Sequence, residues 1–285
     1  MKNRLRIAIT GGESQLAKEF INNYENDLEI GKFSRSELDI TNLDEVKNKI
    51  LINSFDVVLN CAAYNYVDDA EDNNEENYKV NAWGPKLLAS VCNQRKIKLV
   101  HISTDYAFAS EKPIYFEKSR EVNPCNAYGK AKVEGENQLL EFRDLNCLII
   151  RTSWLYGQFG GKFFTNMISM AKEKKAVRIV NDQFGQPTWT LKLSKYIYHK
   201  IMNNEYDGLN HMTGFGIASR FEFAREIYKL MGTNPNLVQP ISSMEYQTKA
   251  KRPSYSLLQP DNIEGIVGKQ NWRDDLRNII EKVEK

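Results

Sequence analysis

The amino-acid sequence predicts an α/β protein in which a doubly wound parallel sheet carries a second, smaller α/β lobe. Short apolar segments alternate with amphipathic helical patterns through the first half of the chain, which is typical of parallel sheets with crossover helices. After Arg151 this alternation weakens and the loops lengthen. We therefore expect a sheet domain over residues 1–153 and mainly a smaller, substrate-binding lobe over residues 154–285, from which a segment of about 190–215 returns to the first domain.

The predicted strands are short runs rich in apolar and β-branched residues, a composition that suits strands buried on both faces. They are Leu5–Thr10, Leu28–Phe33, Asp56–Asn60, Leu99–Ser103 and Cys147–Arg151. The segments between them place apolar residues at helical spacing, which predicts amphipathic helices. These helices are Ser14–Tyr24, Asn42–Ile52, Glu75–Arg95 and Ala127–Phe142. A further amphipathic pattern begins at Trp272 and predicts a C-terminal helix for core or subunit packing.

The composition excludes several classes of partner. The 285 residues carry a net charge of +2, so neither a nucleic acid nor a membrane surface is an expected partner. The apolar runs are of strand length, far below the roughly 20 residues that a membrane span needs. Four scattered cysteines and three scattered histidines predict neither a disulfide framework nor a metal site. The sequence therefore predicts a soluble cytoplasmic protein.

The turn after the first strand resembles a dinucleotide-binding loop. Gly11, Ser14 and Ala17 stand at the spacing of its glycines, between a predicted strand and a predicted helix. Ser14 either adds bulk where the backbone should approach a pyrophosphate, or caps the helix and leaves its amides to bind the anion. After the second strand, Arg35 suits the 2′-phosphate of NADPH, with a solvated loop arginine as the alternative. Asp39 either lies beside the adenine or caps the next helix.

A phenol and an ammonium are expected to share one helix face. Tyr128 and Lys132 are four residues apart, so both side chains can reach one centre. A nearby ammonium is expected to lower the pKa of the tyrosine from about 10, giving a proton donor for a ketone oxygen. Ser103 and Thr104 end the preceding strand, where open α/β sheets bind ligands, so Thr104 could hydrogen-bond the same oxygen. The alternatives are a solvated helix pair and a simple strand end.

Further segments follow in an order and spacing that define a resemblance. They are residues 60–71, 80–82, 103–108, 128–136, 151–157, 182–188 and 252–257. With them the chain resembles the extended short-chain dehydrogenase/reductases, and within these the dTDP-4-dehydrorhamnose reductase family. The resemblance implies a Rossmann-like fold and the transfer of a hydride from NAD(P)H to C4 of a nucleotide-linked 4-keto-6-deoxy sugar, giving dTDP-L-rhamnose. Ser14 and Ala17 depart from the glycines of this family.

The resemblance also implies roles for individual residues. Tyr128 protonates the C4 oxygen and Thr104 hydrogen-bonds it, while Lys132 lowers the pKa of the tyrosine and binds the nicotinamide ribose. Asp105 is followed by Tyr106, whereas the related sugar-nucleotide dehydratases have a glutamate at that second position. The resemblance therefore implies reduction without expulsion of water.

The expected ligand contacts form two sets. The cofactor set, for NADPH or NADH, is Gly11, Ser14, Gln15, Leu16, Arg35, Asp39, Ile40, Ala62, Ala63, Tyr64, Tyr128 and Lys132. The substrate set is Val67, Thr104, Asp105, Tyr106, Trp154, Gln183, Pro187, Thr188 and Arg252. Val67 and Trp154 are expected to form a wall against the deoxysugar, residues 182–188 to cradle the base or diphosphate, and Arg252 to meet the diphosphate.

Two alternatives remain open at this point. The first is a reductase, or an epimerase and reductase, of another dTDP- or UDP-linked deoxysugar. The second is a non-catalytic NADP-binding regulatory subunit, suggested by Ser14 and Ala17 and opposed by the presence of Thr104, Tyr128 and Lys132 together. A homodimer is one option for the assembly.

Overall fold

The computed structural model of the protein describes residues 4–284. Its strands are β1 (Arg6–Thr10), β2 (Glu29–Phe33), β3 (Val57–Asn60), β4 (Lys98–Thr104), β5 (Tyr115–Phe116), β6 (Cys147–Thr152), β7 (Leu155–Tyr156), β8 (Val177–Val180), β9 (Phe184–Gly185), β10 (Thr188–Trp189), β11 (Asp207–His211), β12 (Ala218–Ser219), β13 (Val238–Ile241) and β14 (Leu257–Leu258). Its helices are α1 (Gln15–Tyr24), α2 (Leu43–Ile52), α3 (Asp69–Asp72), α4 (Asn74–Tyr78), α5 (Gly84–Arg95), α6 (Ala127–Leu140), α7 (Lys162–Lys172), α8 (Thr190–Met202), α9 (Arg220–Leu230), α10 (Glu264–Val267) and α11 (Trp272–Val283).

Within the described residues, the central sheet has six strands in the order β11–β6–β4–β3–β1–β2. All of its neighbouring strands run parallel. The predicted α/β class with a parallel sheet is therefore confirmed, and each predicted strand agrees with its observed bounds to within one residue at either end. The chain reverses its direction of crossover at β1, which lies between β2 and β3. In such sheets ligands bind in the crevice that opens at the carboxyl ends of the strands beside this point.

Helices cover both faces of the sheet, because alternate residues of its strands are apolar on either side. Ile7 and Ile9 of β1 pack in a core that includes α1 and α8. Ala8, between them, packs in the opposite core with α2 and α5. The same alternation recurs in β6, where Ile150 faces the first core and Ile149 faces the second. The sheet is thus a rigid central layer that fixes the positions of the loops at its edge.

The helix predicted over Glu75–Arg95 is interrupted, so the prediction of one continuous helix was wrong. A π-helical turn at Lys79–Trp83 separates α4 from α5. Pro85 has no N–H to donate to the carbonyl of Asn81, so the regular hydrogen-bond ladder breaks there. The Asn81 side chain instead binds the backbone of Tyr64, accepting from its N–H at 3.0 Å and donating to its carbonyl at 2.8 Å.

A separate core of helices and aromatic side chains is built by residues between 156 and 283. Phe223 of α9 and Trp272 of α11 are buried there, with ring centroids 5.6 Å apart. The C-terminal helix predicted from Trp272 is therefore confirmed as a core helix. Two elements that follow residue 189 lie with the sheet instead, because α8 packs on α1 and β11 pairs with β6.

No helix in the described part of the chain, residues 4–284, is long and apolar enough to cross a membrane. Its four cysteines are all free thiols.

The close approach of α6 to the π-helical turn depends on Gly135. A Cβ atom added there would lie 2.2 Å from the carbonyl oxygen of Asn81. We expect Gly135→Ala to lower the free energy of unfolding by about 1–3 kcal/mol, a typical cost of overpacking. Gly265, in α10, has open space around its added Cβ. Gly265→Ala is therefore the control, and urea denaturation showing equal stability for both variants would contradict this packing.

Candidate active site

A cavity of about 330 Å³ opens at the carboxyl ends of β1, β3, β4 and β6. It brings together many of the residues selected from the sequence: Ser14, Gln15, Leu16, Ala62, Ala63, Val67, Thr104, Asp105, Tyr106, Tyr128, Lys132 and Trp154. These residues come from widely separated segments of the chain, and they meet at the edge where an open α/β sheet binds ligands. We call this cavity the central cleft.

A second cavity, of about 410 Å³, adjoins the central cleft at the loop after β1. The residues predicted to contact the cofactor that line it are Gly11, Ser14, Arg35, Asp39, Ile40, Ala62, Ala63 and Tyr64. Ser14, Ala62 and Ala63 line both cavities, so the two form one continuous groove. We call this second cavity the adenosine pocket, after the ligand group that its position would receive.

The loop after β1 brings bare backbone to the wall of the adenosine pocket. Gly11 has a positive φ of 62°, and a Cβ atom there would lie 2.6 Å from the backbone nitrogen of Ala62. Ser14 caps α1, since its side chain accepts a hydrogen bond from the N–H of Ala17 at 3.3 Å. The amides of Gln15 and Leu16, in the first turn, have no partner within the helix and are available to an anion.

Two of the predicted cofactor residues have partners that sequence reasoning did not anticipate. The guanidinium of Arg35 forms an ion pair of 2.6 Å with Glu76, although its side chain is 70% exposed. Asp39 does not cap α2, and that alternative was wrong. Asn42 caps the helix, whereas the Asp39 carboxylate accepts from the N–H of Thr41 at 2.9 Å.

A buried ion pair holds α6 against the sheet. Arg151 donates to the two carboxylate oxygens of Glu136, with its closest contact at 2.6 Å, and the two side chains are 1% and 2% exposed. Ser103 donates to the same carboxylate at 2.5 Å. Tyr128, Lys132 and Glu136 are spaced four residues apart and so share one face of α6. Fixing Glu136 therefore fixes the two residues that face the cleft.

The electrostatics of Tyr128 and Lys132 differ from the sequence expectation. Burial raises the pKa of Tyr128 above its ordinary value, against the smaller opposing effect of the Thr104 hydroxyl. The sequence predicted a lowered pKa for Tyr128, and this net direction was wrong because burial outweighs the opposing effects. Burial also lowers the pKa of Lys132 to about 8, opposed by Glu136. The ammonium is destabilised because its site excludes water, a property that the spacing of residues does not reveal.

Thr104 and Asp105 form a hydrogen-bonded pair beside the phenol. The Thr104 hydroxyl donates to the Asp105 carboxylate at 3.2 Å and accepts from the N–H of Tyr106 at 3.1 Å. Ser256 donates to the other carboxylate oxygen at 2.6 Å. Burial raises the pKa of Asp105 to about 6, against these hydrogen bonds.

Trp154 forms one wall of the cleft in a conformation that a neighbouring cation supports. Its φ is 44°, and the guanidinium of Arg220 lies 3.5 Å from its ring centroid. Gly185 makes room for the ring, because a Cβ atom there would lie 2.4 Å from it. Sequence reasoning missed Arg220. The capping-box pattern of Ser219 and Glu222 could have placed it at the start of a helix, but not in the cleft.

A third cavity, of about 590 Å³, shares Asn65 and Arg220 with the central cleft and reaches α7 and β8. Gln183 and Arg252, both in the predicted substrate set, line it. Sequence reasoning missed three basic residues around it, Lys162, Arg178 and Arg220. We call it the basic pocket. Both Nη atoms of Arg252 already bind the carboxylate of Asp68, at 2.8 and 2.7 Å, so its fork is occupied.

Pro187 and Thr188 do not line these three cavities, contrary to expectation. Pairing of β10 with β7 buries Thr188 completely. Its hydroxyl donates to the carbonyl of Gln186 and accepts from the N–H of Gly214, both at 3.0 Å. The end of the predicted substrate loop thus serves the fold, and its beginning, at Gln183, reaches a pocket. Within residues 4–284, no group of three or more His, Cys, Asp or Glu side chains could hold a metal ion.

Comparisons with known proteins agree over almost the whole chain. The family model described as RmlD substrate binding domain matches residues 5–285. A dTDP-4-dehydrorhamnose reductase of Mycolicibacterium smegmatis is 36% identical, over 87% of this chain and 76% of the relative. A probable dTDP-4,6-dihydroxy-2-methyloxan-3-one 4-ketoreductase of Streptomyces antibioticus is 33% identical, over 97% and 95%. The crystal structure of the Bacillus anthracis dTDP-4-dehydrorhamnose reductase with NADP superposes with a TM-score of 0.91, at 33% identity and coverage of 98% and 100%.

The ion pair under α6 predicts a non-additive pair of substitutions. Arg151→Met leaves the Glu136 carboxylate buried without its cation, so we expect the free energy of unfolding to fall by about 3–5 kcal/mol. Adding Glu136→Gln removes the uncompensated charge and should restore part of that loss. Chemical denaturation of the single and double variants measures both terms. A double variant no more stable than Arg151→Met would show that the charge itself is not what costs stability.

Proposed function

Since this chain belongs to the family defined by the RmlD substrate binding domain, we propose that it reduces the C4 ketone of dTDP-4-dehydro-L-rhamnose with NADPH, giving dTDP-L-rhamnose. The observation that carries this proposal is the meeting of Thr104, Tyr128 and Lys132 in a cleft that continues into the adenosine pocket. The related Bacillus anthracis reductase was crystallised with NADP, which supports the same choice of cofactor.

The residues of the groove fit a dinucleotide. The bare backbone at Gly11 and the amides of Gln15 and Leu16 suit a pyrophosphate at the start of α1. Arg35 and Asp39 line the adenosine pocket, where they would face the adenosine half. When bound, the nicotinamide supplies the hydride. The role of the chain is then to orient the ketone and to move a proton to its oxygen.

Tyr128 is the proton donor in this proposal. Because burial raises its pKa, the phenol keeps its proton at neutral pH and can transfer it to the ketone oxygen. Lys132, as an ammonium, stabilises the phenolate that remains. The Thr104 hydroxyl, which donates to Asp105 in the free cleft, turns to the substrate oxygen and adds a second hydrogen bond. The raised pKa thus keeps the proton on Tyr128 before the transfer, and Lys132 stabilises the phenolate after it.

The substrate occupies the central cleft and the basic pocket. Val67 and Trp154 offer apolar surface to the methyl-bearing face of the sugar. The diphosphate enters the basic pocket, where Lys162 supplies positive charge. Arg178 also lines this pocket, and it forms an ion pair of 2.9 Å with Glu245. Arg220 lines both cavities, so it can contact the substrate at the junction of sugar and diphosphate.

The free thiols of the chain support a cytoplasmic location, and we include this location and a homodimer in the proposal. Light scattering of the purified protein tests the homodimer.

A second candidate is the reduction of another dTDP-linked deoxysugar, which the likeness to the Streptomyces antibioticus ketoreductase favours. Loss of NADPH absorbance after addition of dTDP-4-dehydro-L-rhamnose tests the first candidate. Tight NADPH binding without turnover would point to another sugar or to the regulatory alternative. Absence of NADPH binding would contradict the proposal as a whole.

Tyr128→Phe should abolish most turnover while leaving cofactor binding intact. Removing a general acid typically lowers the rate by about 10²–10⁴-fold, and the ring of the tyrosine is retained. The rate of NADPH oxidation and the dissociation constant of NADPH are measured together. Tyr115 in β5 does not line the central cleft, the adenosine pocket or the basic pocket, so Tyr115→Phe is the control variant and should retain the full rate. An unchanged rate in Tyr128→Phe would remove the phenol from the mechanism.

Arg35→Asp should shift the preference from NADPH toward NADH. The substitution places a negative charge where a 2′-phosphate would lie and a ribose hydroxyl acceptor where NADH needs one. The ratio of kcat/KM for the two cofactors measures the shift. Glu76→Gln, which frees Arg35 from its ion pair, should move the same ratio in the opposite direction. A ratio that neither variant changes would show that Arg35 does not read the phosphate.

A further inference from the structure

A chain of buried polar groups runs beneath the cleft and ends at Lys132. Thr10, Asn60, His101 and Lys132 are each at most 1% exposed. Asn60 Nδ2 lies 2.9 Å from His101 Nδ1, and His101 Nε2 lies 3.2 Å from Lys132 Nζ. In such a chain each hydrogen bond constrains the direction of the next. The protonation state of Lys132, at one end, therefore follows from the direction of the hydrogen bonds that is fixed at Asn60, near the other end.

The direction is fixed at Asn60 by a backbone amide. The N–H of Ala62 can only donate, and it points to Asn60 Oδ1 at 3.1 Å. The Thr10 hydroxyl donates to the same oxygen at 2.7 Å. Asn60 Oδ1 is thus the acceptor end of the side chain, and the atom facing His101 is the amide nitrogen, which only donates.

His101 must then accept at Nδ1 and carry its proton at Nε2. A neutral imidazole has one donor and one acceptor nitrogen. Burial lowers the pKa of His101 well below its ordinary value, so the ring is neutral. The Nε2–H therefore points at Lys132 Nζ. An ammonium has three donors and no acceptor, so it cannot receive this hydrogen bond.

We propose that His101 is a positioning residue whose Nε2–H binds the lone pair of the neutral Lys132 amine, so that the buried chain of hydrogen bonds favours the amine over the ammonium. The amine has two N–H groups left. One donates to the carbonyl of Ile102 at 2.6 Å, and the other is free to face the cleft, which Lys132 lines. With this assignment Thr10 Oγ1, both amide atoms of Asn60, both ring nitrogens of His101 and Lys132 Nζ each have a hydrogen-bond partner.

Some groups around Lys132 raise its pKa and others lower it. Glu136 on α6 and Cys61 after β3 favour the ammonium, but the Glu136 carboxylate is already bound by Arg151. Tyr128, on the same face of α6, is a neutral phenol at neutral pH. Burial lowers the pKa of Lys132 to about 8. A hydrogen bond donated to the neutral amine acts in the same direction.

The tautomer of His101 is measured directly by NMR of isotope-labelled histidine in the full chain without cofactor. The polypeptide has three histidines, so His199→Gln and His211→Gln suffice to assign the signals. We expect a neutral His101 ring with the proton on Nε2. A proton on Nδ1, or a charged ring near neutral pH, would overturn the proposal. This measurement needs no enzymatic activity, so it stands or falls apart from the proposed function.

The charge of Lys132 is measured in the same way with isotope-labelled lysine, assigned by Lys132→Met. We expect a pKa at or below about 8, and a value near the ordinary 10.4 would overturn the proposal. His101→Leu removes the donor and should raise this pKa by about 1 unit. His101→Gln is the control, because its amide can accept from Asn60 and donate to Lys132. Equal pKa values in these two variants would also contradict the proposal.

The kinetic consequence rests on the proposed reductase function. Because Lys132 stabilises the phenolate as an ammonium, kcat/KM should fall as the pH rises through the pKa of Lys132. His101→Leu should move that fall to higher pH, and His101→Gln should leave it in place. A purely structural role for His101 would lower the rate at every pH without moving the profile. Such a result, with the expected tautomer, would leave the hydrogen-bond chain standing but reject its influence on catalysis.

Discussion

The buried ion pair between Glu136 and Arg151 is the interaction on which the active site depends. It joins α6 to β6, and the Ser103 hydroxyl extends the junction to β4. Burying two charges is costly unless their hydrogen bonds are satisfied, and here the carboxylate receives donors from both strands. The result is a helix held at a defined position against the strand ends. Tyr128 and Lys132 lie on the same face of that helix, so the ion pair also fixes their positions.

The surroundings of Tyr128 and Lys132 determine the pKa values with which these two residues act. Burial keeps the Tyr128 phenol protonated, which suits a donor, and it lowers the pKa of Lys132 to about 8. The chain from Asn60 through His101 connects that lysine to the strand beneath the adenosine pocket. On the other side of the cleft, Arg220 supports the Trp154 wall and reaches the basic pocket. Proton transfer and substrate recognition thus meet within one cavity.

Local patterns in the sequence predicted the sheet and the grouping of Thr104, Tyr128 and Lys132, because strand periodicity and strand-end position are local properties. Other features depend on contacts between distant segments. The π-helical turn follows from Pro85 together with the contact of Asn81 with Tyr64, and propensity over the segment favours one helix. The burial that raises the pKa of Tyr128 depends on residues from widely separated segments, which line the same cleft.

The most direct test of the central claim is the fate of a deuterium label. NADPH carrying deuterium at both hydrogen positions of the nicotinamide C4 is incubated with the protein and dTDP-4-dehydro-L-rhamnose, and the sugar is examined by NMR. Hydride transfer in the cleft predicts deuterium on C4 of the product sugar. Cofactor binding without deuterium at that carbon would contradict the account, since the groove would then hold NADPH without bringing it to the ketone.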